Sequence, residues 1–249
     1  MTDNRVALVT GAGRGIGAAI AEKFADLDYR VVVNDIDEEK AEGVADRIET
    51  SSIETLPVVA DVSSTTEIDR MVTEVIEEFG RIDVLVNNAG IQTITPFLEL
   101  EEKEWDSVLE TNLKGAFFLT QRVANEMIQR EIEGSVVNIS SIHQDIPRTE
   151  KNHYDASKAG MWMITKDIAL ELAEHRINVN AVAPGAFLTP MNQEIVESEE
   201  LRAEVNAKIP WDRMGHPEEV ADVVAFFVSE RSEYITGSYI RIDGGRSLM

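Results

Sequence analysis

The alternation of apolar and polar positions along the chain predicts its fold. Seven short apolar runs are bounded by turn residues, as expected for strands that are buried on both faces of a sheet. These runs occupy positions 6–9, 31–33, 58–59, 84–86, 136–139, 179–182 and 239–242.

The segments between these runs have apolar residues at three- and four-residue spacing, which is typical of helices that pack on a sheet. The clearest are 16–27, 38–48, 65–79 and 154–173. This alternation predicts a single α/β domain in which a doubly wound parallel sheet is covered by helices on both faces. An acidic, helix-prone insertion at 187–215 precedes the last strand, and we expect it to form a lid over the substrate.

Charge and composition exclude several classes of function. The 46 acidic and 23 basic residues give a net charge of −23, which repels nucleic acids and anionic membranes. We therefore expect neither as a partner. The excess of acidic residues indicates either a solvated surface or adaptation to high salt, where screening relieves the repulsion.

The chain has no cysteine, which excludes disulfides and thiolate nucleophiles. The histidines lack the spacing of a metal site, so no metal is expected. The first four residues lack the basic start of a signal peptide, and no apolar run is long enough to span a bilayer. These features predict a cytoplasmic protein.

A glycine-rich turn follows the first predicted strand, at positions 10–17 with the sequence TGAGRGIG, and leads into a predicted helix. Glycines at such a turn let the backbone approach a pyrophosphate, whose charge then lies at the positive end of the helix. The strand before the turn and the helix after it are the context that makes this motif informative. The turn therefore predicts a dinucleotide site.

The end of the second strand indicates which dinucleotide is bound. Asp35 lies there, about 20 residues after the glycine turn, where a carboxylate binds the adenosine ribose. Its charge would repel a 2′-phosphate, and no basic residue lies between Val31 and Glu39, so NAD is favoured over NADP. Arg14 in the glycine turn is either a solvated loop residue or a group that could reach a 2′-phosphate. At other strand ends, Asp61 and the segment 87–90 are expected to form the adenine and ribose walls.

Six motifs together make the chain similar to the short-chain dehydrogenase/reductase superfamily over its whole length. They are TGxxxGxG at 10–17, NNAG at 87–90, Asn112, Ser141, YxxxK at 154–158 and Pro184-Gly185. The resemblance implies a seven-stranded Rossmann-type sheet, a homotetramer and an NAD(P)-dependent oxidoreductase. The implied cofactor contacts are Gly11, Arg14, Gly15, Ile16, Gly17, Asp35, Ile36, Asp61, Val62, Asn88, Ala89, Gly90, Tyr154, Lys158, Pro184, Gly185, Phe187 and Thr189.

The predicted chemistry centres on Ser141, Tyr154 and Lys158. Lys158 lies one helical turn beyond Tyr154, and its charge, together with that of oxidised nicotinamide, would lower the tyrosine pKa from about 10 towards 7. Tyr154 could then act as general base towards a substrate hydroxyl while Ser141 binds the same oxygen. By resemblance, Asn112 positions a water that connects Lys158 to solvent.

The segment 140–192 is similar to bacterial glucose 1-dehydrogenases and related sugar dehydrogenases, which implies oxidation of a neutral aldose at its anomeric carbon. In those enzymes a glutamate commonly stands two residues after NNAG, whereas this chain has Gln92 at that position. Gln92, His143 and Asn192 are candidate ligands of sugar hydroxyls, although the two amides could instead fix loops. A 3-oxoacyl-carrier-protein reductase and a non-catalytic NAD-binding regulator are the alternatives. Asp35 and the net charge disfavour the carrier-protein reductase. The complete set of four catalytic residues disfavours the non-catalytic regulator.

Overall fold

A computed structural model describes residues 5–50 and 52–249. Residues 1–4, on which the expectation of no signal peptide rests, lie outside this part. Within it, seven strands form one fully parallel sheet, which confirms the predicted fold class. They are β1 (Val6–Val9), β2 (Arg30–Asp35), β3 (Thr55–Val59), β4 (Val84–Asn87), β5 (Ser135–Ile139), β6 (Asn178–Pro184) and β7 (Tyr239–Ile242).

Helices cover both faces of the sheet. The predicted boundaries 38–48 and 65–79 are reproduced, and the helices expected at 16–27 and 154–173 begin one and two residues earlier. Ser64 fixes the start of one helix by accepting a hydrogen bond from the backbone of Glu67. The α-helices are α1 (Gly15–Asp26), α2 (Glu38–Ile48), α3 (Thr65–Phe79), α4 (Glu102–Leu109), α5 (Ala116–Gln129), α6 (Asn152–Leu172), α7 (Gln193–Glu197), α8 (Glu199–Asn206) and α9 (Pro217–Phe227).

The core is divided into two layers by the sheet. Successive residues of β1 point to opposite sides, so that Ala7 and Val9 pack with α1, α2 and α9, while Val6 and Leu8 pack with α3 and α5. All four are fully buried. Burial on both faces explains why these strands are continuous apolar runs in the sequence.

The order of the strands places the functional crevice. Strands run β3-β2-β1-β4-β5-β6-β7, so the chain moves outward from β1 in one direction and from β4 in the other. In open α/β sheets a ligand binds at the carboxyl ends of the strands where this reversal occurs. The crevice here therefore lies between the turns that follow β1 and β4.

The insertion at 187–215 is closed at its base. Phe187 and Gly215 form an isolated parallel bridge, and the backbone amides of Leu188 and Gly215 donate to the carbonyls of Gly215 and Ala186, each at 2.9 Å. Between these ends the chain forms a 3-10 turn and the short helices α7 and α8, which are largely exposed. No helix in the described ranges is long and apolar enough to cross a membrane.

Candidate active site

The glycine turn requires glycine at three of its positions. Gly11 and Gly15 have φ of +59° and +58°, which L-residues rarely adopt. Gly17 is needed for packing, because a Cβ there would lie 2.3 Å from the Gly11 carbonyl oxygen and 2.5 Å from Asn88 Nδ2. Asn88 Nδ2 also donates to the carbonyls of Thr10 and Gly11. These contacts join the turns after β1 and β4 into one rigid wall.

Beside this wall lies an open cleft of about 850 Å³, within the size range of small-molecule sites. The start of α1 contributes Gly15 and Ile16 to its lining, as expected for a site that binds a pyrophosphate. Twelve of the residues expected to contact the cofactor line it: Gly11, Arg14, Gly15, Ile16, Asp35, Ile36, Asp61, Val62, Asn88, Ala89, Gly90 and Thr189.

Other expected cofactor contacts do not line this cleft. Phe187 is 3% exposed and packs against Gly215, where an added Cβ would lie 2.4 Å from its ring. Gly185 likewise lies against Asp243, and Pro184 ends β6 in the core. For these residues the structure shows a packing role at the edge of the site.

Asp35 is held in the cleft by the backbone. One carboxylate oxygen accepts from the Gly13 amide at 3.0 Å, and the other accepts from the Asp37 amide at 3.1 Å. Each oxygen keeps a lone pair for a further donor. The nearby Lys40 forms an ion pair with Asp37, so its charge is already balanced by a carboxylate.

Three of the four residues of the predicted catalytic set come together at the end of β5. Tyr154 and Lys158 lie on one face of α6, with the lysine Nζ 5.6 Å from the centre of the tyrosine ring. The Ser141 side chain lies close enough to Tyr154 to lower the pKa of its phenol. Lys158 is 3% exposed, and its ammonium donates to the Ile139 carbonyl at 2.7 Å.

The expected fall in the Tyr154 pKa does not arise from these residues alone. Burial raises the pKa of Tyr154 above 10, against the lowering effects of the Arg148 charge and the Ser141 side chain. Burial also lowers the pKa of Lys158 to about 8. Arg148 is the cation whose charge lowers the pKa of the phenol in the absence of cofactor.

Asn112 is fully buried in a π-helical turn, Glu110–Gly115, that interrupts the helix between α4 and α5. Such turns are frequent at functional sites. Its amide accepts from the Ile91 backbone at 2.8 Å and donates to the Ile91 carbonyl at 2.9 Å and to Ser157 Oγ at 3.1 Å. Asn112 thus ties the loop after β4 to α6, one residue from Lys158.

The three residues expected to bind sugar hydroxyls already have partners. Asn192 donates to the Phe187 carbonyl at 2.9 Å and so fixes the base of the insertion. Gln92 accepts from Lys151 Nζ at 2.8 Å. The His143 ring meets the Ile146 carbonyl at 2.9 Å, and burial lowers its pKa.

Sequence reasoning missed several residues around Tyr154. His153 is fully buried and contacts Thr93 Oγ1 at 2.6 Å. The Arg148 guanidinium lies over the Tyr154 ring, 4.9 Å from its centre. The sequence did contain a signal, because Arg148 and Lys151 lie between Ser141 and Tyr154 in a strongly acidic chain.

Comparison with known proteins identifies the family to which this chain belongs. Residues 11–247 match the family model described as enoyl-(acyl carrier protein) reductase. The 3-oxoacyl-[acyl-carrier-protein] reductase of Staphylococcus aureus is 40% identical over 98% of this chain and 99% of its own length. The enzyme of that name from Thermotoga maritima is 41% identical over 98% of both chains.

Among solved structures, a gluconate 5-dehydrogenase from Burkholderia cenocepacia, in complex with NADP and tartrate, superimposes with a TM-score of 0.93. It is 33% identical, with 99% of this chain and 96% of that chain covered. The chain therefore belongs to the short-chain dehydrogenase/reductase superfamily. It is an oxidoreductase that interconverts CH–OH and carbonyl groups.

Proposed function

We propose that this protein oxidises a hydroxyl group of a small sugar-like polyol with NAD, the anomeric hydroxyl of an aldose being the first candidate, and catalyses the reverse reduction. The observation that carries the proposal is the meeting of Ser141, Tyr154 and Lys158 at the end of β5, beside a cleft that holds Asp35. NAD, when bound, supplies the acceptor for the hydride.

The chain's own residues can carry the proton. Ser141 donates a hydrogen bond to the substrate oxygen, and the Tyr154 phenolate takes the hydroxyl proton as the carbonyl forms. Burial of Tyr154 favours the neutral phenol, so the reactive phenolate depends on nearby positive charge. Lys158 and Arg148 are the cations that the chain places next to the ring.

Asp35 supports NAD as the cofactor. Its carboxylate is fixed by two backbone amides in the cleft, where a 2′-phosphate would meet it at close range. Arg14 lines the same cleft and is the residue that could favour NADP. The gluconate 5-dehydrogenase neighbour was solved with NADP, whereas Asp35 favours NAD in this chain.

The sugar-like substrate is supported by that neighbour, whose complex contains the polyhydroxy acid tartrate. The insertion 187–215, which is anchored at Phe187 and lines the cleft through Thr189, serves as the lid. We also propose the homotetramer that the resemblance implies.

Reduction of 3-oxoacyl thioesters is the second candidate, because relatives of that name share about 40% identity with nearly the whole chain. A carrier protein is acidic and needs a basic docking surface, which a net charge of −23 opposes. A non-catalytic NAD-binding role would leave the joint presence of Asn112, Ser141, Tyr154 and Lys158 without a purpose.

Steady-state rates with purified protein test the proposal. A panel of aldoses, polyols and sugar acids should be oxidised with NAD, and NADP should be markedly poorer at the same salt concentration. Failure with every hydroxyl compound, combined with NADPH-dependent reduction of an acetoacetyl thioester, would replace the proposal by the second candidate.

A further inference from the structure

Basic side chains gather around Arg148, which lies over the Tyr154 ring, although the chain is strongly acidic. The Arg148 guanidinium lies 4.9 Å from the centre of the Tyr154 ring. Lys151 lies three residues before Tyr154, and its Nζ donates a hydrogen bond to Gln92 Oε1 at 2.8 Å. Arg246, from the C-terminal segment, is close enough for the Arg148 charge to lower its pKa. With 46 acidic residues in the chain, this concentration of positive charge needs a cause.

The carboxylates next to these cations leave one hydrogen-bond donor of Arg148 without an acceptor. Asp155 accepts from the Nε and the backbone amide of Arg148, at 3.1 and 3.3 Å. Arg148 Nη2, however, is buried without an acceptor anywhere in residues 5–50 and 52–249. A buried donor of a charged group that lacks a partner is costly. The guanidinium therefore presents an unused hydrogen bond beside the reacting tyrosine.

The cations also oppose one another. Burial and the neighbouring Arg148 lower the pKa of Lys151 to about 8, against the opposite effect of Asp155. Asp243, the carboxylate that acts on Arg246, already accepts from the backbone amides of Gly245 and Ser247. Like charges held together in a partly buried site are relieved by an anion between them.

We propose that Arg148, assisted by Lys151 and Arg246, forms an anion subsite for the substrate, so that the enzyme acts on a polyol that carries a carboxylate or phosphate group. This inference rests on the proposed function and replaces the neutral sugar expected from the sequence. Arg148 binds the anion with Nη2 while its Nε stays on Asp155. Substrates that lack the anion leave this donor unpaired and bind more weakly.

The test compares matched substrates that differ in charge. Initial rates with NAD are measured for gluconate against sorbitol and for glucose 6-phosphate against glucose, in wild type, Arg148→Met and Arg148→Lys. The control is Arg47→Met, which removes an exposed arginine paired with Glu22. Wild type should prefer an anionic member, and the better pair identifies carboxylate or phosphate.

Arg148→Met should lower kcat/KM for the anionic substrate by roughly 10- to 100-fold relative to its neutral partner, mainly through KM. Arg148→Lys should restore part of this loss, and Arg47→Met should not change the ratio. A ratio that is the same in wild type and Arg148→Met, or a wild type that prefers both neutral members, overturns the subsite.

A binding measurement separates this inference from the proposed function. With NADH present, gluconate or glucose 6-phosphate should raise the Tm of wild type more than sorbitol or glucose does, and Arg148→Met should lose that difference. If no hydroxyl compound is oxidised but the anion-specific shift is present and depends on Arg148, the function is wrong and the subsite stands. If oxidation occurs without any anion-specific shift, the proposed function stands and the anion subsite is wrong.

Discussion

The two sides of the crevice differ in their charged side chains. The cofactor side is lined by five carboxylates, Asp35, Asp61, Glu102, Asp106 and Glu110, and by two cations, Arg14 and Lys103. The proposed substrate side, around Tyr154, concentrates Arg148 and Lys151. On our proposals, the first side disfavours an extra phosphate on the nucleotide and the second favours an anion on the substrate.

This difference shows how a shared fold acquires its selectivity. The glycine turn, which the Asn88 side chain holds by hydrogen bonds to the Thr10 and Gly11 carbonyls, would serve any dinucleotide. On our proposals, selection depends instead on single side chains, such as Asp35 at the end of β2 and Arg148 in the segment between β5 and α6. Such residues can be exchanged without disturbing the sheet, so each side of the crevice can be tested separately.

The largest expected effect is at Tyr154. Tyr154→Phe removes the proton acceptor but keeps the ring under Arg148, so turnover should fall by roughly 10²- to 10⁴-fold. NAD affinity should stay within a few-fold, because the nucleotide cleft is not lined by this residue. Single-turnover NADH formation at the wild-type rate would disprove the assignment.

At Asp35 the expected effect is a change of cofactor. Two like charges about 4 Å apart repel by roughly 4 kcal/mol at an effective dielectric of 20, which solvent and salt reduce. Asp35→Ser removes this repulsion and a ribose hydrogen bond, so the NAD to NADP ratio of kcat/KM should fall by roughly 10²-fold. An unchanged ratio would mean that Asp35 does not face the ribose.

Lys158 should reduce the stability of the cofactor-free protein. Its pKa is about 8 when folded and 10.5 in the unfolded chain, so between these values the unfolded chain binds more protons and stability rises with pH. Lys158→Met should remove this rise, which amounts to about 3 kcal/mol. Denaturant unfolding at pH 7 and pH 10.5 measures it, and parallel curves for the two proteins would contradict the assignment.

The smallest effect is expected at Asn192. Its amide holds the Phe187 carbonyl at the base of the lid, and losing one such hydrogen bond costs about 1 kcal/mol. Asn192→Ala should therefore reduce kcat/KM by roughly 5-fold for every substrate alike. A loss confined to substrates with one particular hydroxyl would instead make Asn192 a direct sugar ligand.

Much of the fold could be predicted because its signals are local. The strands are apolar runs buried on both faces, and the glycine turn follows β1 directly in sequence. The proximity of Ser141, Tyr154 and Lys158 could be predicted because the three residues match motifs of the superfamily, at a set spacing along α6 and at the end of β5. The same reasoning placed Asp35 in the cleft.

The remainder depends on contacts between distant segments. The pKa of Tyr154 follows from burial and from Arg148, neither of which the spacing to Lys158 reveals. The charge of Arg148 lowers the pKa of Arg246, which lies almost 100 positions away, and the partners of Gln92 and Asn192 depend on how loops close. The similarity to sugar dehydrogenases implied that these amides bind the substrate, and it gave no sign of a role for Arg148 or Lys151.

One double comparison tests the account most directly. Wild type, Asp35→Ser, Arg148→Met and the double variant are assayed with NAD and NADP, each with gluconate and sorbitol at fixed salt. Asp35→Ser should change only the cofactor ratio, Arg148→Met should change only the substrate ratio, and the double variant should show both changes independently. A single substitution that shifts both ratios together, or neither, would contradict the division of the crevice into an acidic cofactor side and a basic substrate side.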